Sequence, residues 1–293
     1  MATLINVYGS ARSGSTMLDL ILGNAEDAFS CGEVSAWFRP YRRHHSKIDC
    51  SCGQDPCPVW ERLGDVKESE FHLTVFQEMG VEFVVESSKD ICWLLDSLKW
   101  TELSGIRAFN LLVWKDPIDL AYSHWKRGGG DWRRHFVRAY GRFFETGLPF
   151  SAVNHGRLVQ NAPEELAAVC AAVGMTYSAG RERFWEKEHH HLFGSLEVRR
   201  QVQRGVSSVK ARAPFPPEFE AQRPALEERI ASDAGLQEVL RALRRADVHR
   251  NAAEDTETRP QWRRKLPPLW YHWKKMVRLA RRYVPERYDT TVP

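Results

Sequence analysis

The sequence predicts an α/β protein: a P-loop-like, mostly parallel central sheet flanked by helices, with a helical and irregular C-terminal region. Three observations predict it. Short apolar segments alternate with helical-period segments between Leu4 and Gly174, the pattern of a parallel sheet with crossover helices. The first apolar segment runs straight into Gly9–Thr16, "GSARSGST". This nearly matches the phosphate loop G-x-x-x-x-G-K-[ST], in the strand–loop–helix context that such a loop requires. Polar motifs also close three of the apolar segments: "GSARSGST", "SSKD" and "KDP". In open α/β sheets the ligand crevice lies at the carboxyl ends of the strands.

Taken in order, Leu4–Tyr8 is a buried strand. The loop Gly9–Ser13 follows, then a helix over 14–23 with Met17, Leu18, Ile21 and Leu22 on its inner face. Residues 25–64 read as irregular, rich in Cys, Arg, His and Pro; a segment this long without elements is a functional loop or a lid. A helix over 69–79 leads to the strand Glu82–Glu86, and a helix over 90–100 leads to Ala108–Trp114. A helix over 117–127 follows "KDP", residues 131–146 are helical, and 150–154, "FSAVN", is a short strand. Pro163 stands where helices begin, and that helix ends at Gly174. Past Gly180 the periodicity weakens. "HHHLFGSLEVRRQ" and "SSVKARAPFPP" read as loop, and 224–246 as helical. A domain over 1–250 thus precedes a basic part, 251–293: a polar linker over 251–266, then an amphipathic basic helix over 268–285 with Trp270, Trp273, Met276 and Val277. Trp93, Trp100 and Trp114 read as core.

Composition bounds the partners. The 293 residues are 43% apolar and 27% charged, ordinary for a globular chain. No run of about 18 apolar residues occurs, so no membrane span is expected. The start enters a strand at once, without the basic lead or cleavage site of a signal peptide, which predicts a cytoplasmic protein. The net charge of +4 is unevenly spread, with ten Lys or Arg against two acids from Arg259 onward and a second cluster at Arg39–Lys47, "RPYRRHHSK". Such clusters suit phosphates, sulfates, acidic glycans or lipid headgroups, and equally a plain solvated face. No nucleic-acid partner is expected. The C-terminal helix offers a route to peripheral membrane contact, against the simpler reading that it packs on the domain.

Three of six cysteines crowd into "CSCGQDPC", as Cys50, Cys52 and Cys57. The spacing C-x-C-x4-C is not the paired C-x2-C of a zinc finger. Ordinary thiols or a loop disulfide is the favoured reading; a zinc ion would draw its fourth ligand from Cys31, His44 or His45. Three adjacent histidines, His189–His191, cannot all face one ion, so a solvated or cleft-lining role fits them, with His191 turned inward.

The first loop is competent for an anion. Backbone N–H groups of Ser13–Thr16 open a helix, with its dipole behind them. Arg12 adds a planar fork of donors suited to phosphate or sulfate oxygens, and Ser13, Ser15 and Thr16 add hydroxyls. The lysine that holds a transferring γ-phosphoryl group is absent, and Ser15 stands in its place. Asp116 in "VWKDP" is a candidate magnesium-binding acid, made less natural by the proline after it.

"RSGST" after a first strand, "SSKD" after a second and "KDPIDLAYS" after a third resemble the sulfotransferases that use 3′-phosphoadenosine 5′-phosphosulfate (PAPS). The resemblance covers roughly residues 3–200 and is of the bacterial type, with local likeness to tyrosylprotein and carbohydrate sulfotransferases. "CGE" at Cys31–Glu33, the "SSKD" lysine motif, the "CSCG…CPVW" loop and the segment from Val153 to Met175 carry it further. It implies that Arg12, Ser13, Gly14, Ser15 and Thr16 hold the 5′-phosphosulfate. Lys115 and Ser123 would hold the 3′-phosphate, with Arg127 nearby. Lys115 stands where the family has Arg, and Ile118 where a second Arg is common. "HLFGS" loosely resembles a family H-x-x-G-N element, with Ser195 in place of Asn.

The resemblance implies in-line transfer of a sulfuryl group to a hydroxyl or amine of a small-molecule, glycan or lipid acceptor. Arg12 and Lys89 are the candidates to stabilise charge growing on the leaving 5′-phosphate. Glu33 is the first candidate base, and His44 or His45 the second. No metal is required by this scheme. The segments 25–64 and 180–220 would line the acceptor side. Two readings compete: a nucleotide or small-molecule kinase with a degenerate phosphate loop, and a non-enzymatic anion- or glycan-binding protein.

Overall fold

The computed structural model describes residues 1–205, 214–251, 270–273 and 276. Five strands form one parallel sheet: β1 (Thr3–Tyr8), β2 (Ala28–Gly32), β3 (Phe83–Glu86), β4 (Arg107–Trp114) and β5 (Ser151–Asn154). Their spatial order is β2-β3-β1-β4-β5. In chain order the helices are α1 (Ser15–Leu22), α2 (Val34–Phe38), α3 (Pro58–Arg62), α4 (Phe71–Met79), α5 (Ile91–Leu103), α6 (Pro117–Trp125) and α7 (Trp132–Glu145). They continue as α8 (His155–Gln160), α9 (Ala162–Val173), α10 (Leu196–Arg204), α11 (Pro217–Glu220), α12 (Arg223–Ser232), α13 (Ala234–Arg245) and α14 (Val248–Asn251).

β1 is central because every one of its residues is buried and it pairs on both sides. Side chains alternate between the faces of a strand. Ile5 and Val7 join Val85, Leu111, Val113 and Val153 in one apolar layer under α1 and α9. Tyr8, Leu112, Trp114 and Ala152 point the other way, into a layer with residues of α5, α7 and α13. Leu4 and Val84 meet Trp60, Phe71, Val75 and Trp93 in a third cluster. The result is helices on both faces of a parallel sheet, the α/β arrangement that the alternation predicts. It brings the ends of β1, β3 and β4, with their motifs, to one rim.

Two segments differ from the sequence expectation. Residues 25–64 are not irregular throughout: they hold β2, α2, a 3-10 turn at Arg43–Ser46 and α3. β2 is an edge strand, "AFSCG", too short and too mixed for a readable alternation. Its parallel pairing with β3, Ala28 to Phe83 and Gly32 to Glu86, makes it a strand. The second is "HHHLFGSLEVRRQ", which is not all loop, since Leu196 opens α10. Val198 and Val202, four apart and on one face, pack on the first apolar layer. The buried Arg199 guanidinium donates to Asp49 Oδ1 and Oδ2 at 2.6 Å each.

The expected linker over 251–266 and most of the expected helix over 268–285 lie outside the described residues. Residues 270–273 and 276 are helical, with Tyr271 buried and Trp273 and Met276 exposed. Among the described residues no helix is long and apolar enough to cross a membrane.

Candidate active site

The loop between β1 and α1 turns on Gly14, whose φ is +103°. A side chain here would be strained in this left-handed region, and a Cβ would lie 2.0 Å from the His155 ring. His155 is the first residue of α8, directly past β5. Gly14 caps α1 with no side-chain hydrogen bond. The first N–H groups of the helix are therefore open to an anion. Ser13, Ser15 and Thr16 are all buried beside them. Arg12 also has positive φ, +71°, and its Nε is buried without a partner.

Cations gather beside this loop. Burial, and then the charge of Arg127, hold the Arg12 guanidinium below its ordinary pKa. Burial lowers the Lys115 ammonium to about 8; Asp119 opposes the shift, while Arg12, Lys126 and Arg127 add to it. Four cations crowd here against only Asp119 and Glu197, an excess of positive charge suited to an anion. Ser123 donates from Oγ to the Asp119 carbonyl at 2.9 Å. Arg127 donates to the Ser123 carbonyl at 3.1 Å and lies 3.6 Å from Glu197. Asp116 is the N-cap of α6, its carboxylate accepting from the Ile118 N–H at 3.0 Å. Burial, and then Lys115, push the His155 imidazole down to about 3, so it is neutral beside Gly14.

A second cluster forms at the ends of β2 and β3. Lys89 donates to Glu33 in a close ion pair that is largely shielded from water. Burial raises the Glu33 pKa, but Lys89, through charge and hydrogen bond, outweighs it, and the carboxyl lies below its ordinary value. The rest of "SSKD" builds the frame. Ser88 Oγ accepts from the Ser35 N–H at 3.0 Å, and Asp90 caps α5 by accepting from the Trp93 N–H at 2.9 Å. Neither His44 nor His45 bonds to Glu33. His44 is exposed, and His45 is buried with its ring 5.0 Å from that of Phe193. An open cleft of about 760 Å³ runs past His44, Arg43, Lys47 and Gln203.

The segment 189–195 joins the two clusters. The Glu33 N–H donates to the Leu192 carbonyl at 2.9 Å, and the Leu192 N–H to the Cys31 carbonyl at 3.0 Å. The Ser195 N–H donates to Thr16 Oγ1 at 3.1 Å. Gly194 lies so close that a Cβ would be 2.6 Å from that oxygen and 3.3 Å from His191 Nε2. His191 and Asp19 are 0% exposed and Ser30 is 2% exposed. Ser30 donates to Asp19 Oδ1 at 2.6 Å, and His191 Nδ1 lies 2.7 Å from Ser30 Oγ. The single hydroxyl proton goes to the carboxylate, so His191 Nδ1 is the donor to Ser30. Its Nε2 is buried without a partner.

The structure thus gathers Arg12, Ser13, Gly14, Ser15, Thr16, Lys115 and Arg127 around one loop, and Glu33 with Lys89 beside it. It adds His155, and it places His191 and Ser195, both singled out in the sequence, between the two clusters. His155 obeys the same strand-end rule as Lys89 and Lys115, so its position was the available signal. The Thr16–Ser195 contact, across 179 positions of chain, had none.

No model of a known protein family matches the chain, and no curated protein matches it. Among solved structures, its fold is that of sulfotransferase domains. One is the sulfotransferase domain from the curacin biosynthetic pathway, with TM-score 0.52, 12% identity, and coverage of 80% of this chain and 99% of that one. Another is the sulfotransferase domain from the Synechococcus PCC 7002 olefin synthase, with TM-score 0.53, 13% identity, and coverage of 79% and 95%. At these identities the likeness speaks to fold.

Proposed function

We propose that the protein is a sulfotransferase that moves the sulfuryl group of PAPS to a hydroxyl or amine of an acceptor. The observation that carries the reading is the pair of anion sites sharing one loop. Open N–H groups with Arg12 suit the 5′-phosphosulfate, and Lys115 with Arg127 suits a second, separate phosphate. A donor with phosphates at both the 3′ and 5′ positions fits this pair better than a nucleoside triphosphate. The kinase alternative also lacks the lysine that would hold a γ-phosphoryl group, since Ser15 stands in its place.

In the reaction the acceptor oxygen or nitrogen attacks sulfur. The bond from sulfur to the 5′-phosphate oxygen breaks, and its electron pair leaves with that phosphate. The acceptor proton passes to Glu33. Charge growing on the leaving oxygen is met by Arg12, the α1 N–H groups and Lys89. Lys89 resting on Glu33 keeps the carboxylate ionised and ready, and swings to the phosphate when the donor enters.

Thermal shift separates the readings. Saturating 3′,5′-adenosine bisphosphate raises Tm; at a hundred times Kd the gain is about 2.7 kcal/mol. Arg12→Ala abolishes the shift. A shift with ATP–magnesium alone would overturn the assignment in favour of a kinase.

A further inference from the structure

Sulfuryl transfer leaves the cysteine loop unused. Cys50, Cys52, Cys57 and His190 bring one ligand atom each to within 4.8 Å of one another. Cys57 Sγ is 3.3 Å from His190 Nδ1. A tetrahedral zinc ion takes sulfur at about 2.3 Å and nitrogen at about 2.0–2.1 Å, which puts its ligand atoms roughly 3.5–3.8 Å apart. The four atoms therefore need only small movements to close on an ion. No disulfide joins the cysteines. Cys31, His44 and His45 are not in the group; the fourth donor is instead a single member of the histidine triplet, for which a solvated or cleft-lining role was expected.

The backbone holds these donors in place. Gly53 N–H donates to the Cys50 carbonyl at 3.2 Å and closes the first turn. Ser51, between two of the cysteines, is fully buried. Its N–H donates to the His191 carbonyl at 2.9 Å, and its Oγ donates to the His189 carbonyl at 2.5 Å. That Oγ also accepts from the His191 N–H at 3.0 Å. Trp60 Nε1 donates to the His190 carbonyl at 2.6 Å. The chain is thus pinned at 189, 190 and 191, with the His190 ring against the sulfurs. Conserving ligand geometry through such outer bonds is how protein metal sites are oriented.

We propose that Cys50, Cys52, Cys57 and His190 bind one structural zinc ion. Three thiolates and an imidazole in tetrahedral array suit zinc among the divalent metals. Four protein ligands leave no open position, so the ion is structural and not catalytic. Binding releases the thiol protons as the thiolates ligate the metal. Cys50 and Cys57 are buried, while Cys52 and His190 are half-buried and leave an entry path. The ion ties the 50–57 loop to the segment that sets His191, Gly194 and Ser195 against the phosphate loop.

The test is metal and thiol content of the full chain, purified without chelator from zinc-supplemented cells. One zinc per chain and six thiols titrating after denaturation without reductant are expected. No zinc with six thiols, or no zinc with four, overturns the proposal, the second outcome in favour of a disulfide. His190→Asn removes a ligand at the rim, with the backbone pins intact. It should yield zinc to a competing chelator more readily by at least the roughly 10–100-fold that loss of a mere outer partner costs, while keeping the wild-type circular dichroism. Unchanged retention would overturn the ligand set. Cobalt reconstitution gives a second readout, a thiolate-to-cobalt charge-transfer band that weakens in Cys57→Ser. These readouts do not depend on sulfuryl transfer, so either reading can fail without the other.

Discussion

Glu33 and Lys89 bring a carboxylate and an ammonium into one contact, and the contact fixes a pH signature. Lys89 outweighs the burial that would raise the Glu33 carboxyl, so its pKa lies below the ordinary 4.5. A carboxyl lowered by folding contributes stability that is present above its unfolded value and lost as pH falls through the folded value. If Glu33 takes the acceptor proton, the acid limb of kcat/KM falls below pH 4.5, and an acid limb near neutrality would move the role to a histidine. Glu33→Gln should keep adenosine bisphosphate binding and lower kcat by roughly 10²–10⁴; loss of binding with kcat intact would contradict it. Lys115 gives the opposite slope. Its pKa of about 8 means that the charge an anion needs is lost as pH rises through that value. Calorimetric titration from pH 7 to 9 should show weakening affinity for adenosine bisphosphate, and Lys115→Arg should flatten the trend. Arg12, Lys89 and Lys115 were legible in the sequence because each lies in a motif at a strand end. His191 was legible only as an inward-facing residue, since its Asp19 and Ser30 partners sit far away in the chain.

β2 and the 189–195 segment show where element reading stopped. β1, β3 and β4 could be read from apolar runs, and β5 from its position after a helix. "AFSCG" is a strand because β3 lies beside it, and 189–195 is held at the rim by distant partners, among them Gly32 and Cys50, which Leu192 bridges. Such pairings are tertiary and leave no local period. Their lock is the buried Asp19–Ser30–His191 chain, which ties α1 to β2 and to the segment. Ser30→Ala removes the hydroxyl that serves both neighbours and leaves buried polar atoms unpaired. The expected cost is about 1–3 kcal/mol, read as a fall in urea midpoint without change in slope. Because the segment also sets Ser195 on Thr16, the variant should raise the Kd for adenosine bisphosphate. A stability loss with unchanged Kd would separate the lock from the phosphate loop.

Across the whole molecule, Asp96 on α5 connects the front of the domain to its C-terminal part. It is buried, and it accepts from Arg39 at 2.8 Å and from the Tyr271 hydroxyl at 2.6 Å. Arg39 also reaches Glu68 at 2.6 Å and lies over the Trp93 ring at 5.1 Å. Beside Tyr271, Trp270 donates to Glu145 at 2.8 Å, with Arg142 over its ring at 5.7 Å. Among the described residues of this part, Trp270 and Tyr271 dock, while Trp273 and Met276 face out, 65% and 62% exposed. The two faces predict different losses. Tyr271→Phe keeps the ring and removes a hydrogen bond to a carboxylate, worth about 1.5–3 kcal/mol, so it should lower the thermal midpoint of the full chain. The double change Trp273→Ala, Met276→Ala removes only exposed apolar surface and should leave that midpoint within about 0.5 kcal/mol of wild type. If the basic C-terminal part contacts anionic lipid, the same double variant should lose co-sedimentation with phosphatidylserine vesicles while Tyr271→Phe retains it. Equal sedimentation of all three chains would assign lipid binding, if any, to charge alone, and absence of sedimentation would leave Trp273 and Met276 as surface residues of a chain whose C-terminal part serves the fold through Asp96.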